Sequence, residues 1–313
     1  MANRLDRNNP DVYFGRPGGL IRLPWPKGEI DKPYERPTFD FATGSGFHLV
    51  SSLTGGSRPY TINWTALHQV TYSKLEQFWT GMMGTGPWAF IDPSQSNMLL
   101  QNQAAATGVY NDARQWMTST GAADMGELTS NATLGSLIHR TGARRSLRWR
   151  FPVAANAFPV LKMDYPYRNW WGFPVVPGLS YAWSAWARPD SVIDSSITMA
   201  IKLTWVDATG TLVSEISGGD VVMSAGYVRH SVVGVAPPGA VYCQPIFVAT
   251  GSTITVGGSI YIDEPLLEQD TVVNDWAPGT GLRPVEILSL TDFTPFAGRF
   301  RKGVELVIRE LAP

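Results

Sequence analysis

At 313 residues the chain is long enough for two domains, or for one large domain carrying an insertion. Charged residues make up 16% and the formal net charge is −1, which removes any general electrostatic case for nucleic acid or an anionic membrane as a partner. The lone Cys243 excludes an intrachain disulfide framework and a thiolate metal site, while 31 Gly, 23 Pro and 12 Trp suit an all-β protein rich in turns.

The opening MANRLDRNNPDVYFG holds no apolar core of the length an export signal needs, and no run of about eighteen apolar residues occurs further on. The expectation is therefore folding in a cytosol, with no membrane span. Residues 1–45 carry Pro10, Pro17, Pro24, Pro26, Pro33 and Pro37. Proline fixes φ and removes a donor, so this segment reads as an extended arm, with Tyr13, Phe14, Trp25 and Tyr34 as its aromatic anchors. Short strands follow at 47–51 and 60–67, separated by Gly55-Gly56-Ser57.

One helix is legible. Ser73 with Glu76 three residues on has the form of a capping box, and Leu75, Phe78, Trp79 and Met82 fall at the i, i+3, i+4, i+7 spacing of a single apolar stripe. Gly81 and Gly84 offer exits from it. The run PWAFIDP then predicts a strand holding Trp88 and Phe90. Together Leu75, Phe78, Trp79, Met82, Trp88 and Phe90 are the expected core of an assembly domain.

Beyond Asn97 the composition shifts to LLQNQAAATG, the expected entry to a second domain. Alternation then gives strand after strand. Leu147, Trp149 and Phe151 share one face, as do Ile197, Met199, Ile201, Leu203 and Trp205, before the turn Asp207–Gly210. Further strands are expected at 180–189, 227–235, 241–249 and 259–267, with turns at the spacing of an antiparallel sandwich. The last segment, FTPFAGRFRKG between 284–290 and 304–311, is a hairpin, and two strands alone are marginal. It is expected to return to the first domain. The predicted organisation is an arm at 1–45, a split domain at 46–98 with 281–313, and an inserted sandwich at 99–280.

No catalytic signature emerges. His48, His68, His139 and His230 have no metal-ligand spacing, and there is no nucleophile elbow, phosphate loop or dinucleotide fingerprint. The expectation is a chain that is not an enzyme. Aromatic side chains are the stronger lead, because sugar rings stack on indole and phenol faces while nearby amides orient the hydroxyls. MDYPYRNWWGFP gathers Tyr165, Tyr167, Asn169, Trp170 and Trp171, the candidate glycan-binding set. The competing reading is that these rings plug the end of the sandwich core.

Two resemblances follow from these residues. The strand at 60–67, the helix with its Phe-Trp pair, G-x-G-P-W-A-F-I-D-P, Asn97-Met-Leu-Leu and the ending RPVEILSLTDFTPFAGRFRKGVELVIREL resemble minor tail and distal tail proteins of long-tailed bacteriophages of actinobacterial type. Tyr181-x-x-Ser184-x-Trp186, Leu203-x-Trp205-x-Asp207-x-x-Gly210, Ala236-Pro-Pro-Gly239-Ala and Ile260-Tyr-Ile-Asp263-x-Pro-x-Leu-Glu268 resemble a galactose-binding-like jelly-roll of the carbohydrate-binding-module kind. The first implies a non-catalytic tail-tip component in the virion. It would form a ring with copies of itself and contact the tail tube protein and other tip or fibre proteins. The second implies contact with host surface glycans, and no cofactor except a structural calcium at Asp263 and Glu264. A solvated strand end is the plainer reading of that acidic pair. The rival assignments are a carbohydrate-binding module of a secreted polysaccharide-degrading system and the equivalent part of a contractile injection device.

Overall fold

The computed structural model describes residues 11–26, 30, 38–42, 48–52, 59–92, 97–104, 117–120, 127–131, 146–150, 160–165, 167, 169–190, 198–223, 226–250, 258–279, 281–293 and 300–311. It is mainly β and clusters into two compact units, one of Asn9–Asp92 with Arg283–Pro313 and the other of Pro93–Leu282.

The chain begins with β1 (Val12–Gly15), β2 (Ile21–Leu23), β3 (Thr38–Ala42), β4 (His48–Ser52) and β5 (Pro59–His68), then α1 (Gln69–Trp79) and β6 (Trp88–Ile91). Part of the segment expected to be an arm is therefore sheet. In β1, Val12 and Phe14 are fully buried, and Arg22 pairs with Asp11 across the β1–β2 hairpin. The prolines of this region lie outside the two strands and do not interrupt their ladders.

The helix differs from its predicted form at both ends. β5 runs straight into it, and His68 is the N-cap, its Nδ1 accepting from Val70 N at 3.3 Å. Ser73 and Glu76 therefore sit inside the helix and form no capping box. Starting five residues earlier, the helix turns Tyr72, Leu75 and Phe78 inward. Trp79 is its last residue and is 46% exposed. Met82 lies beyond the Thr80 C-cap and the left-handed Gly81 and is 78% exposed. Of the expected assembly core, Leu75, Phe78, Trp88 and Phe90 are buried, whereas Trp79 and Met82 are surface. Phe78 packs edge-on to both Phe14 and Trp88, with centroids 5.4 and 4.9 Å away.

The second unit holds α2 (Gln101–Ala104), β7 (Met117–Thr120), β8 (Glu127–Asn131), β9 (Ser146–Arg150), β10 (Val160–Met163), β11 (Phe173–Pro174), β12 (Ser180–Pro189), β13 (Thr198–Val206), β14 (Leu212–Val222), β15 (Val228–Val235), β16 (Tyr242–Thr250) and β17 (Ser259–Glu268). Two antiparallel sheets result, β14-β13-β16-β10-β7 with β11 on β16, and β15-β12-β17-β9-β8. This is the jelly-roll sandwich. Met199, Ile201, Leu203 and Trp205 of the first sheet and Leu147, Trp149, Trp183 and Ile262 of the second are buried in its interior, with Trp183 against Phe247 at 5.1 Å. Phe151 and Ile197, expected on these faces, lie outside the described residues. Cys243 is fully buried on β16, and burial pushes its thiol well up.

Entry and exit of this unit meet. Leu282 N donates to Met98 O at 2.9 Å, and the Asn97 amide donates to the carbonyls of Pro265 and Ala277 at 3.1 and 3.0 Å. Its oxygen accepts from Leu99 N and Leu267 N, so a fully buried amide has every donor satisfied.

The chain ends with β18 (Pro284–Phe293) and β19 (Arg301–Glu310). This hairpin enters the first unit's sheet, in the order β2-β1-β6-β18-β19-β5. The chain is thus a split β domain with an inserted sandwich. Several hairpin charges pair within the chain. Lys302 bonds Asp292 at 2.8 Å, Arg309 pairs with Glu286, and the buried Glu310 accepts from the Tyr60 hydroxyl.

Candidate glycan-binding face

The outer face of the sandwich's first sheet follows from strand periodicity. Because Met199, Ile201, Leu203 and Trp205 point into the core, Ala200, Lys202, Thr204 and Val206 point out. Register places Val248, Ile246, Gln244 and Tyr242 of β16 beside them in that order, with Val160 and Lys162 of β10 on the far side of β16. On β14, Glu215 and Ser217 stand opposite Thr204 and Lys202. These rows run about 20 Å along the strands.

One end of the face is a groove of about 510 Å³. Val160, Ala200, Ile246 and Val248 form an aliphatic floor, and Lys202, Glu215, Ser217 and Asp220 form a polar wall. Lys202 Nζ donates to Glu215 at 2.6 Å and Thr204 Oγ1 to the other oxygen of that carboxylate at 3.3 Å. The wall is thus partly fixed before any ligand arrives. These residues lay in the alternation of ITMAIKLTW and its neighbours, as the outward half of strands whose inward half was obvious. No motif marked them, because only register across four strands brings them together.

The aromatic segment lies at the other end. Tyr165 is buried, donates its hydroxyl to Leu282 O at 2.5 Å and stacks on Trp170, centroids 5.1 Å apart. Trp170 is half-buried against Val206, Val241 and Tyr242. Tyr167 meets Trp170 edge-on at 5.4 Å, and the exposed Asn169 donates to its hydroxyl at 3.2 Å. Trp171 is 55% exposed. Its carbonyl accepts from Gln244, and its indole lies over Gly210, where a Cβ would come within 2.6 Å of the ring. Gly210 sits at φ +84° in the turn after β13, and the Asp207 carboxylate holds that turn by accepting from Thr209 and Thr211. Those bonds, led by the Thr209 hydroxyl, lower the Asp207 carboxyl. The five candidates are therefore contiguous. Tyr165 plugs the sandwich end, Trp170 and Tyr167 support it, and Trp171 alone offers a broad open ring.

Asp263 and Glu264 lie elsewhere, in β17. Both are buried, at 4% and 5% exposure, which overturns the reading of a solvated strand end. The β12–β17 register shifts here, and Glu264 takes a left-handed φ of +50° with its N–H donating to Asp263 Oδ1 at 2.9 Å. The pair marks a β-bulge. Among the described residues no group of three or more His, Cys, Asp or Glu side chains is placed to hold a metal ion.

No family model matches the sequence, and no curated protein matches it. Solved structures do show likenesses. The enzymatically active domain of bacteriophage CBA120 tailspike protein 4 aligns at a TM-score of 0.38 and 17% identity, over 55% of this chain and 21% of that one. The chain thus spans about a fifth of the tailspike structure. A xylan-binding domain of carbohydrate-binding module family 22 aligns at 0.38 and 19%, over 58% of this chain and all of that one. The C-terminal family 22 module of Clostridium thermocellum Xyn10B aligns at 0.37 and 18%, over 57% and 99%. All three TM-scores lie below 0.5, and no ligand or activity carries over from them.

Proposed function

We propose that this chain is a non-catalytic structural component of a phage tail tip, whose inserted jelly-roll binds glycans on its first sheet's outer face. The observation that carries the glycan reading is Trp171. A large indole is held open to solvent by Gly210 beneath it and Gln244 on its carbonyl, at the end of a face that continues into a polar-walled groove. An exposed, rigidly seated ring beside oriented hydrogen-bonding groups is what stacking on a sugar requires. The tail-tip reading is supported by the sequence resemblance, and by a split domain with its own core from which the sandwich departs and returns at adjacent points. Ring formation with its own copies, and contacts to the tail tube protein and other tip or fibre proteins, belong to that reading.

The test has two parts. The protein is titrated against a panel of neutral oligosaccharides, with Trp171→Ala as the paired variant. Binding that falls at least about tenfold in the variant, with an unchanged melting temperature, supports the site, as expected for loss of a stacking ring. Equal binding by both proteins rules it out. Reconstruction of intact particles then locates the chain. A collar at the distal end of the tail tube supports the structural role, whereas absence from particles and monomeric behaviour favour a module of a polysaccharide-degrading system.

A further inference from the structure

The opposite sheet of the sandwich carries a second site. Register aligns Arg148 of β9, Tyr261 of β17 and Arg188 of β12 in one row across its outer face. Tyr227, just before β15, completes the row, since its neighbour Val228 pairs with Ala187. The Arg188 guanidinium is 5.6 Å from the ring centroids of both Tyr227 and Tyr261. Stacking on two rings fixes the plane of the fork.

Its hydrogen bonding is incomplete. The Arg188 Nε–H is enclosed and has no hydrogen-bond partner, and the enclosed hydroxyls of Tyr227 and the fully buried Ser146 have no partner beyond each other. Arg148 is already used, donating from Nε to Ser259 Oγ at 3.0 Å. Buried donors of this kind are costly unless something accepts from them. Burial, and secondarily the Asp263 carboxylate, push the Tyr227 hydroxyl up, so it remains a neutral donor.

We propose that this row, with the adjacent Ser146, is a carboxylate-binding site, with Arg188 as a pre-oriented fork, the Tyr227–Ser146 hydroxyl pair supplying a flanking donor, and the acidic group of a uronic-acid sugar as ligand. An arginine fork matches a carboxylate in plane and spacing. The carboxylates of Asp263 and Asp190 act on the same tyrosines and oppose any anion there, a phosphate dianion more than a monoanion. Only the choice of a sugar rests on the glycan reading above. The site itself lies on the other sheet from Trp171 and stands without it.

Titration of the full chain with sodium glucuronate, sodium acetate, glucose and inorganic phosphate, followed by calorimetry, tests it. Glucuronate should bind, and Arg188→Lys, which keeps the charge and loses the fork, should weaken it at least about tenfold. Tyr227→Phe should weaken it to a lesser degree, and Met82→Ala, at an exposed side chain of the other unit, should leave it unchanged. Glucuronate that fails to bind, or binds Arg188→Lys as well as the parent, overturns the site. In the second case a lowered melting temperature would mark a purely structural stack. Phosphate binding as tightly as glucuronate overturns the choice of carboxylate. Acetate binding as tightly overturns the sugar, while neutral-glycan binding through Trp171 reports separately on the first face.

Discussion

His230 shows how one buried side chain sets a pH limit. It sits inside the sandwich on β15 at 1% exposure. Loss of hydration draws its pKa down from 6.5 to about 4. The folded protein therefore holds fewer protons than the unfolded chain between those values. Stability is complete above pH 6.5 and is lost as pH falls towards 4, by about 3 kcal/mol from this residue. Denaturant melts of the parent and His230→Phe across that window measure it, and the variant should show a flatter profile. Trp171 is the contrasting case, a large ring whose removal should cost the fold little because half of it already meets water.

At the scale of elements, α1 separates pattern from packing. Leu75 is fully buried beneath the sheet, and Leu75→Ala should cost about 3 kcal/mol. Trp79→Ala and Met82→Ala should each stay within about 0.5 kcal/mol, since both side chains face solvent. Urea melts of the three variants decide between this inward line and the stripe read from spacing. The terminal hairpin makes a complementary case. Phe293 of β18 covers Gly303 of β19, where any Cβ would meet the ring at 2.0 Å. Gly303→Ala should therefore destabilise the hairpin more than an exposed strand glycine would, by displacing Phe293.

At the scale of the whole molecule, the insertion is the organising fact. Met98 and Leu282 are hydrogen-bonded neighbours, and Val285, Val304, Leu306 and Ile308 fill a core shared with Val12, Phe14 and Leu75. Replacing residues 93–282 by a short Gly-Ser linker should leave a cooperatively melting split domain, because none of that core is removed. Loss of a cooperative transition would show that the two units depend on each other. The sequence by itself determined the β class, the inserted sandwich, the shared faces of Leu147 with Trp149 and of Met199, Ile201, Leu203 and Trp205, and the aromatic segment around Trp170, since alternation and turn chemistry are local properties. Only the tertiary structure decided which aromatic of that segment stays open, that Asp263 and Glu264 form a buried bulge, that Val12 and Phe14 belong to the sheet, and that Lys202, Glu215 and Gln244 share one face while Arg148, Arg188 and Tyr227 share the other. Those relations depend on register between strands far apart in the chain, and single-strand periodicity is silent about register.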